Sequence, residues 1–345
     1  MTLKLTVGFS ENPRVGPLKD GTVKPQNIEL GFVTLEPGTL FYRNLAYDEF
    51  DVSEMSISET LLARERGEGR KWDWSALPVF LSRGHHWPNL YVNTAAGIAG
   101  LGDIRGKRIG VPDYAMTAAL WFRITLKELY GIEARDNVWF NGRTRELSHA
   151  GMLGLDQAGP AGVEHHWLSA EQTLDRMLDH GEIDACTAIR PASRVSAGDP
   201  TVIDRWGGTQ IEGNPRLKKL LDDDGKSVVF EFYKMTGYFQ ANHHVIVQNR
   251  ILREHPWAAL ELYNAFRRSK EIAYERARHY EVTRVYFPGR DLAEQSAVIG
   301  PDPYPLGLAA MRRTIERAIQ GSVEQGLLTK PLALDDIYFR TTLKT

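Results

Sequence analysis

Apolar positions recur along this chain with two periods. Short apolar or alternating runs over residues 3–7, 28–33, 90–93, 108–111, 138–140, 183–189 and 245–247 predict strands. Residues 77–83 form a further apolar run, closed by Arg83. Longer windows with helical spacing over 41–50, 115–130, 169–180, 256–278 and 306–326 predict helices. Ser169 with Gln172, and Ser56 with Glu59, have the capping-box spacing that opens a helix, and Gly181 stops the 169–180 helix. Residues 13–24, 141–167 and 192–226 read as irregular, with the acidic run from Asp222 to Gly225 as a solvated turn. Strands alternating with helices imply a parallel-sheet α/β architecture, whose ligands sit outside the carboxyl ends of the strands.

One junction stands out in that pattern. Pro112 and Asp113 break the strand 108–111, and a helix opens at 115. Free backbone N–H groups and the positive end of a helix dipole meet at such a place, which suits an anion. Tyr114 and Thr117 add hydroxyl donors there. An ordinary βα unit has the same pattern. Earlier in the chain, Glu54 and Ser56 stand at alternate positions, on one face if the backbone is extended.

Length changes the picture to two lobes, because 345 residues exceed one ordinary core. A net charge of −2 gives no basic surface for nucleic acid or an anionic membrane, so neither is an expected partner. The single cysteine, Cys186, excludes an internal disulfide and a cysteine-rich metal site. The first residues run straight into a strand with no signal-peptide pattern, and no window approaches a membrane span, so the expected location is the cytoplasm.

Several motifs resemble a known family. Gly102-Asp-Ile-Arg-Gly-Lys-Arg-Ile-Gly-Val-Pro112 and Thr173-Leu-x-x-Met-Leu-x-x-Gly-Glu-Ile-Asp-Ala185 resemble segments of type II periplasmic-binding-protein folds. More narrowly, the chain resembles the 4,5-dihydroxyphthalate decarboxylase family. The likeness rests on Phe50-Asp-Val-Ser-Glu-Met-Ser56, Leu77-Pro-Val-Phe-Leu-Ser-Arg83, Tyr114-Ala-Met-Thr-Ala-Ala-Leu-Trp121, Thr236-Gly-Tyr-Phe followed by His243, and His255-Pro-Trp257. It spans about residues 3 to 330. Gln240-Ala-Asn242 stand where the family has proline and apolar residues, and His85 and His86 where it has an aromatic and a second basic residue.

The resemblance implies a two-lobed type II periplasmic-binding-protein-like α/β fold with a ligand cleft between lobes. One lobe would comprise 1–94 plus 245–345, the other 95–244. It also implies a carboxy-lyase that turns a hydroxylated aromatic dicarboxylate, such as 4,5-dihydroxyphthalate, into protocatechuate and CO2.

That chemistry must hold carboxylates, polarise a phenol and deliver a proton. Arginine pairs a carboxylate bidentately, which makes Arg83 and Arg190 candidates. Histidine titrates near operating pH, and His243 lies at a crossover between the implied lobes. His244 must face the other side of that strand. Glu54 is a candidate to orient the histidine or to accept a phenol hydrogen bond, and a structural residue at the hinge would show the same pattern. Ser56, Tyr114, Thr117 and His86 complete the substrate-binding candidates.

No organic cofactor is expected, since the glycines of 97–106 lack the dinucleotide spacing. The adjacent pairs His85-His86, His165-His166 and His243-His244 point apart in extended backbone, so no metal ligand is assigned, although a divalent metal stays open. A small aromatic carboxylate is the expected partner, and a homo-oligomer stays open. The competing reading is a solute-binding protein that uses the same cleft without turnover. An enzyme similar to the thiamine-pyrimidine synthases is disfavoured, because those carry a cysteine-rich motif.

Overall fold

A computed structural model describes residues 2–67, 71–187, 204–284 and 290–345. The chain opens with β1 (Leu3–Phe9), β2 (Ile28–Thr34), β3 (Val52–Ser56) and β4 (Trp74–Ser82). Six strands follow: β5 (Tyr91–Asn93), β6 (Arg108–Val111), β7 (Val138–Asn141), β8 (Glu164–Trp167), β9 (Ala185–Cys186) and β10 (Leu217–Lys219). The last strand, β11 (His243–Gln248), returns to the first four. One sheet has the order β2-β1-β3-β11-β4, the other β10-β5-β9-β6-β7-β8. In the first, β1 runs parallel to β2 and β3, while β11 runs antiparallel to β3 and β4. In the second, β6, β7, β8 and β9 are parallel and β5 is antiparallel to its neighbours. Tyr91–Asn93 thus pairs in the second sheet, although it precedes the expected boundary at 94.

The helices that position the site are α1 (Pro37–Tyr47), α2 (Ile57–Arg66), α3 (Thr117–Tyr130), α4 (Lys226–Thr236), α5 (Ala258–Arg284) and α6 (Leu308–Glu324). Strand β3 passes straight into α2 at Ser56, whose hydroxyl accepts from the Glu59 N–H at 3.4 Å. Helix α1 begins before the predicted 41, because Pro37 supplies a preset φ at its first turn. It ends at Asp48 in the left-handed region.

Both faces of the first sheet are covered. Val7, Val52, Val79, Val245 and Val247 pack on Leu262 and Phe266 of α5. Met55, Phe80 and Ile246 face the larger core, which reaches Leu61 of α2, Trp121 and Phe122 of α3 and Ile315 of α6. The central strand β3 is buried at every position, so its polar residues Ser53, Glu54 and Ser56 need internal partners.

Some local expectations shift. Thr173, in extended backbone, precedes a helix at Leu174–Asp179, while Gln172 instead accepts from the Ser169 N–H in a turn. Residues 13–24 contain short helical turns at Pro13–Val15 and Gly16–Lys19, held by the buried Val15 and Leu18. Strand β8 falls in a stretch read as irregular, and α4 was not signalled by its pattern, since Val228 and Phe232 alone are buried along it. Among the described residues no helix is long and apolar enough to cross a membrane.

Candidate active site

Three carboxyl ends of the first sheet and one strand start meet at the site. Ser10 follows β1, Ser56 ends β3, Ser82 ends β4, and His243 opens β11 opposite both Ser56 and Ser82. The β11–β4 ladder breaks between His243 and Val245, where Pro78 has no N–H to offer. Such irregularities re-aim a side chain, here beside the strand that carries Glu54.

His243 Nδ1 lies 2.7 Å from Glu54 Oε1. The other carboxylate oxygen of Glu54 accepts from the Ser10 backbone N–H at 3.0 Å and from the Ser10 hydroxyl. Burial alone would push the Glu54 carboxyl up; the His243 imidazole and the two Ser10 donors outweigh it and hold the carboxyl below its ordinary value. Phe41 of α1 packs edge-on to the His243 ring, with centroids 4.8 Å apart. Among the described residues no hydrogen bond engages His243 Nε2, and the side chain keeps 16% exposure while Glu54 keeps 1%. The arrangement suits proton transfer: one nitrogen is fixed by an ionised carboxylate, the other is open.

A second histidine pair sits close by. His149 Nδ1 lies 2.9 Å from Glu59 Oε1, and its Nε2 lies 3.1 Å from the Gly38 carbonyl. Its own backbone N–H donates to Asp113 Oδ2, which also takes the Ser148 hydroxyl. Arg143, buried at the end of β7, donates from Nε to Asp204 at 2.7 Å and lies 3.5 Å from Asp113. Burial opposes its charge, but Asp204 and Asp113 outweigh that and raise its pKa.

The predicted residues divide clearly. Glu54 and His243 come together, and so do Ser56 and Thr117, whose hydroxyls lie 2.8 Å apart. Thr117 also accepts from the Ser58 N–H, so these two hydroxyls tie the starts of α2 and α3 to each other. Tyr114 points elsewhere. It is buried under the Arg123 guanidinium and donates to the Gln325 carbonyl at 3.1 Å. The anion position expected at the start of α3 is filled by the chain's own Asp113, which accepts from the Ala115 N–H. Arg83 donates to the Phe239 and Gln240 carbonyls and lies over the Phe239 ring, so it braces the segment leading to His243. Burial draws its guanidinium down to about 10. His86 is buried beside Phe122. Arg190 lies outside the described residues.

The histidine pairs do point apart. His166 reaches Glu164 at the surface, while His165 packs on Tyr114 and Trp167 and is pushed by burial to about 4. Among the described residues no group of three or more His, Cys, Asp or Glu side chains is placed to hold a metal ion.

Sequence reasoning missed Ser10, Phe41, Arg143 and His149, and took Glu59 only as a cap. The Glu59 N–H does meet Ser56, but its side chain goes to His149 instead of back to the strand. The one available signal was His149 itself, a histidine inside a Gly- and Arg-rich stretch.

No family model matches the chain. It is 28% identical over 345 residues to a 4,5-dihydroxyphthalate decarboxylase of Comamonas testosteroni, covering 99% of this chain and 98% of that one. It is 32% identical over 200 residues to a 4,5-dihydroxyphthalate decarboxylase of Pseudomonas putida, covering 58% of this chain and 76% of the relative. Among solved structures, it is similar to the periplasmic aliphatic sulphonate binding protein SsuA from Escherichia coli, with a TM-score of 0.54 at 10% identity, covering 99% of this chain and 93% of that one. The alkanesulfonate-binding protein SsuA from Xanthomonas axonopodis pv. citri, bound to MOPS, gives 0.51 at 13% identity, with 97% and 98% covered. These last likenesses show the fold, which is type II periplasmic-binding-protein-like. The chain belongs to the 4,5-dihydroxyphthalate decarboxylase family, and with it to the carboxy-lyases.

Proposed function

We propose that this enzyme decarboxylates a hydroxylated aromatic dicarboxylate, with 4,5-dihydroxyphthalate to protocatechuate as the reaction. The names of its relatives support the substrate class. The observation that carries the mechanism is the Glu54–His243 pair with its open Nε2.

Each turnover replaces a carboxylate by hydrogen, so it consumes one proton and releases CO2. A ring hydroxyl para to the departing carboxylate pushes electrons toward the carbon that bears it. Protonated His243 delivers a proton from Nε2 to that carbon, the C–C bond breaks, and the ring regains its aromaticity. Solvent then reprotonates His243. Both oxygens of Glu54 are engaged, one by His243 and one by Ser10, so Glu54 acts by orienting the imidazole and stabilising its charge. The reaction needs no organic cofactor and no metal in this scheme.

Incubation of the purified protein with 4,5-dihydroxyphthalate should yield protocatechuate and CO2, undiminished by a chelator. Binding without turnover would favour a solute-binding protein of the same fold. A stoichiometric organic cofactor in the active enzyme would overturn the cofactor-free scheme.

A further inference from the structure

We infer that His149 is a positioning residue for His243, acting through the first turn of α1 and Phe41. This rests on the role of His243 proposed above. His149 is anchored at its backbone: its N–H donates to Asp113, just past the end of β6 in the second sheet. Its ring crosses to the first-sheet side. A carbonyl oxygen only accepts, so the Nε2 facing Gly38 carries a hydrogen and donates it. Nδ1 shares a proton with Glu59. Neither nitrogen retains a free lone pair for substrate, which removes His149 from acid–base work and leaves it a structural grip.

What it grips is specific. Gly38 and Phe41 are three residues apart on α1 and therefore lie on one face of that helix. The Phe41 ring centroid is 6.3 Å from that of His149 and 4.8 Å from that of His243, edge-on to both. Holding the Gly38 carbonyl thus holds the ring that packs on His243. Glu59 belongs to the same β3–α2 unit as Glu54, and its Oε2 is buried without a partner. Among the described residues its one side-chain hydrogen bond goes to His149, so the grip fixes α1 relative to the unit that presents Glu54.

The test follows ring 15N and N–H signals of His243 in substrate-free protein, which does not depend on turnover. His149→Gln and Phe41→Leu should each move the His243 signals, and combining them should move the signals no further than the larger single effect. Where His149→Gln alone fails to fold, Glu59→Gln with His149→Gln restores a neutral hydrogen-bonded pair and takes its place. With substrate, kcat should fall by up to about 10²-fold from misplacement, with KM within about threefold. Unmoved His243 signals in either folded variant, or fully additive shifts, would overturn the proposal. If the wild type shows no decarboxylation, the function fails, and the resonance measurement still decides the positioning.

Discussion

Two Glu–His pairs stand within one small region and do different work. Glu54 and Glu59 come from the same strand-to-helix unit, five residues apart. Each places a carboxylate oxygen within 3 Å of a histidine Nδ1, at 2.7 Å for His243 and 2.9 Å for His149. The difference lies at the other nitrogen. His243 leaves Nε2 open and keeps 16% exposure, whereas His149 commits Nε2 to Gly38 and keeps 1%. A carboxylate behind a histidine therefore does not make it an acid or base. The partner of the far nitrogen decides the role.

The sharpest way to break this comparison is to remove the titrating group from each pair in turn. His243→Asn should lower kcat by about 10²–10⁴, the usual share of general acid–base catalysis, while substrate still binds. One limb of the pH–rate profile should vanish with it. His149→Gln should cost less in kcat, at most about 10²-fold, and leave that limb in place. Equal losses in the two variants would mean that the open nitrogen is not what distinguishes them.

A milder cut goes through the carboxylate's support. Ser10→Ala removes one of two donors from Glu54 Oε2 and keeps the backbone N–H. A lost hydrogen bond to a charged group costs about 1.5–3 kcal/mol. Part of that should appear as reduced stability and part as a several-fold lower kcat. An unchanged kcat would show that Glu54 needs only His243 and the backbone to keep its place.

Half of this site was legible in the sequence, for a physical reason. His243, His244 and Glu54 lie on strands, where alternation alone assigns faces, and the chain does place His243 against Glu54 and His244 on the opposite side. The α/β class followed from the alternation of strand and helix, and the periplasmic-binding-protein-like form from the resemblance of the motifs at 102–112 and 173–185. What stayed hidden depends on contacts between segments far apart in the chain. Phe41, Glu59 and His149 meet only after α1, α2 and the segment past β7 pack together, and no local period encodes that meeting. Arg83 shows the converse: its residue type suited a carboxylate, but its burial beside the Phe239 and Gln240 carbonyls gives it backbone partners instead. Strand β10 was missed because three residues on the end of a sheet carry too little pattern.

The smallest expected effect on turnover belongs to His244, and it tests the comparison from the other side. Thr60 donates its hydroxyl hydrogen to the Ser56 carbonyl at 2.9 Å, so toward His244 Nε2 it accepts at 2.8 Å. His244 Nδ1 then accepts from the Tyr338 hydroxyl at 3.2 Å. This histidine is neutral, fully bonded and buried, with no carboxylate behind it. Burial, helped by the charge of His243, pushes its pKa down to about 3. In the unfolded chain it titrates near 6.5. Above that value both states are neutral and its contribution to stability is intact. As pH falls from about 6.5 toward 3, the unfolded state binds a proton that the folded state refuses, and stability declines by up to about 1.4 kcal/mol per pH unit for this one site. His85, drawn by burial to about 4, adds to the same decline. His244→Gln should therefore leave kcat within a few-fold of wild type, lower stability at neutral pH, and flatten the acid slope of the unfolding free energy by up to one proton. An acid slope identical to wild type, measured by denaturant titration at a series of pH values, would show that His244 does not stay neutral in the fold.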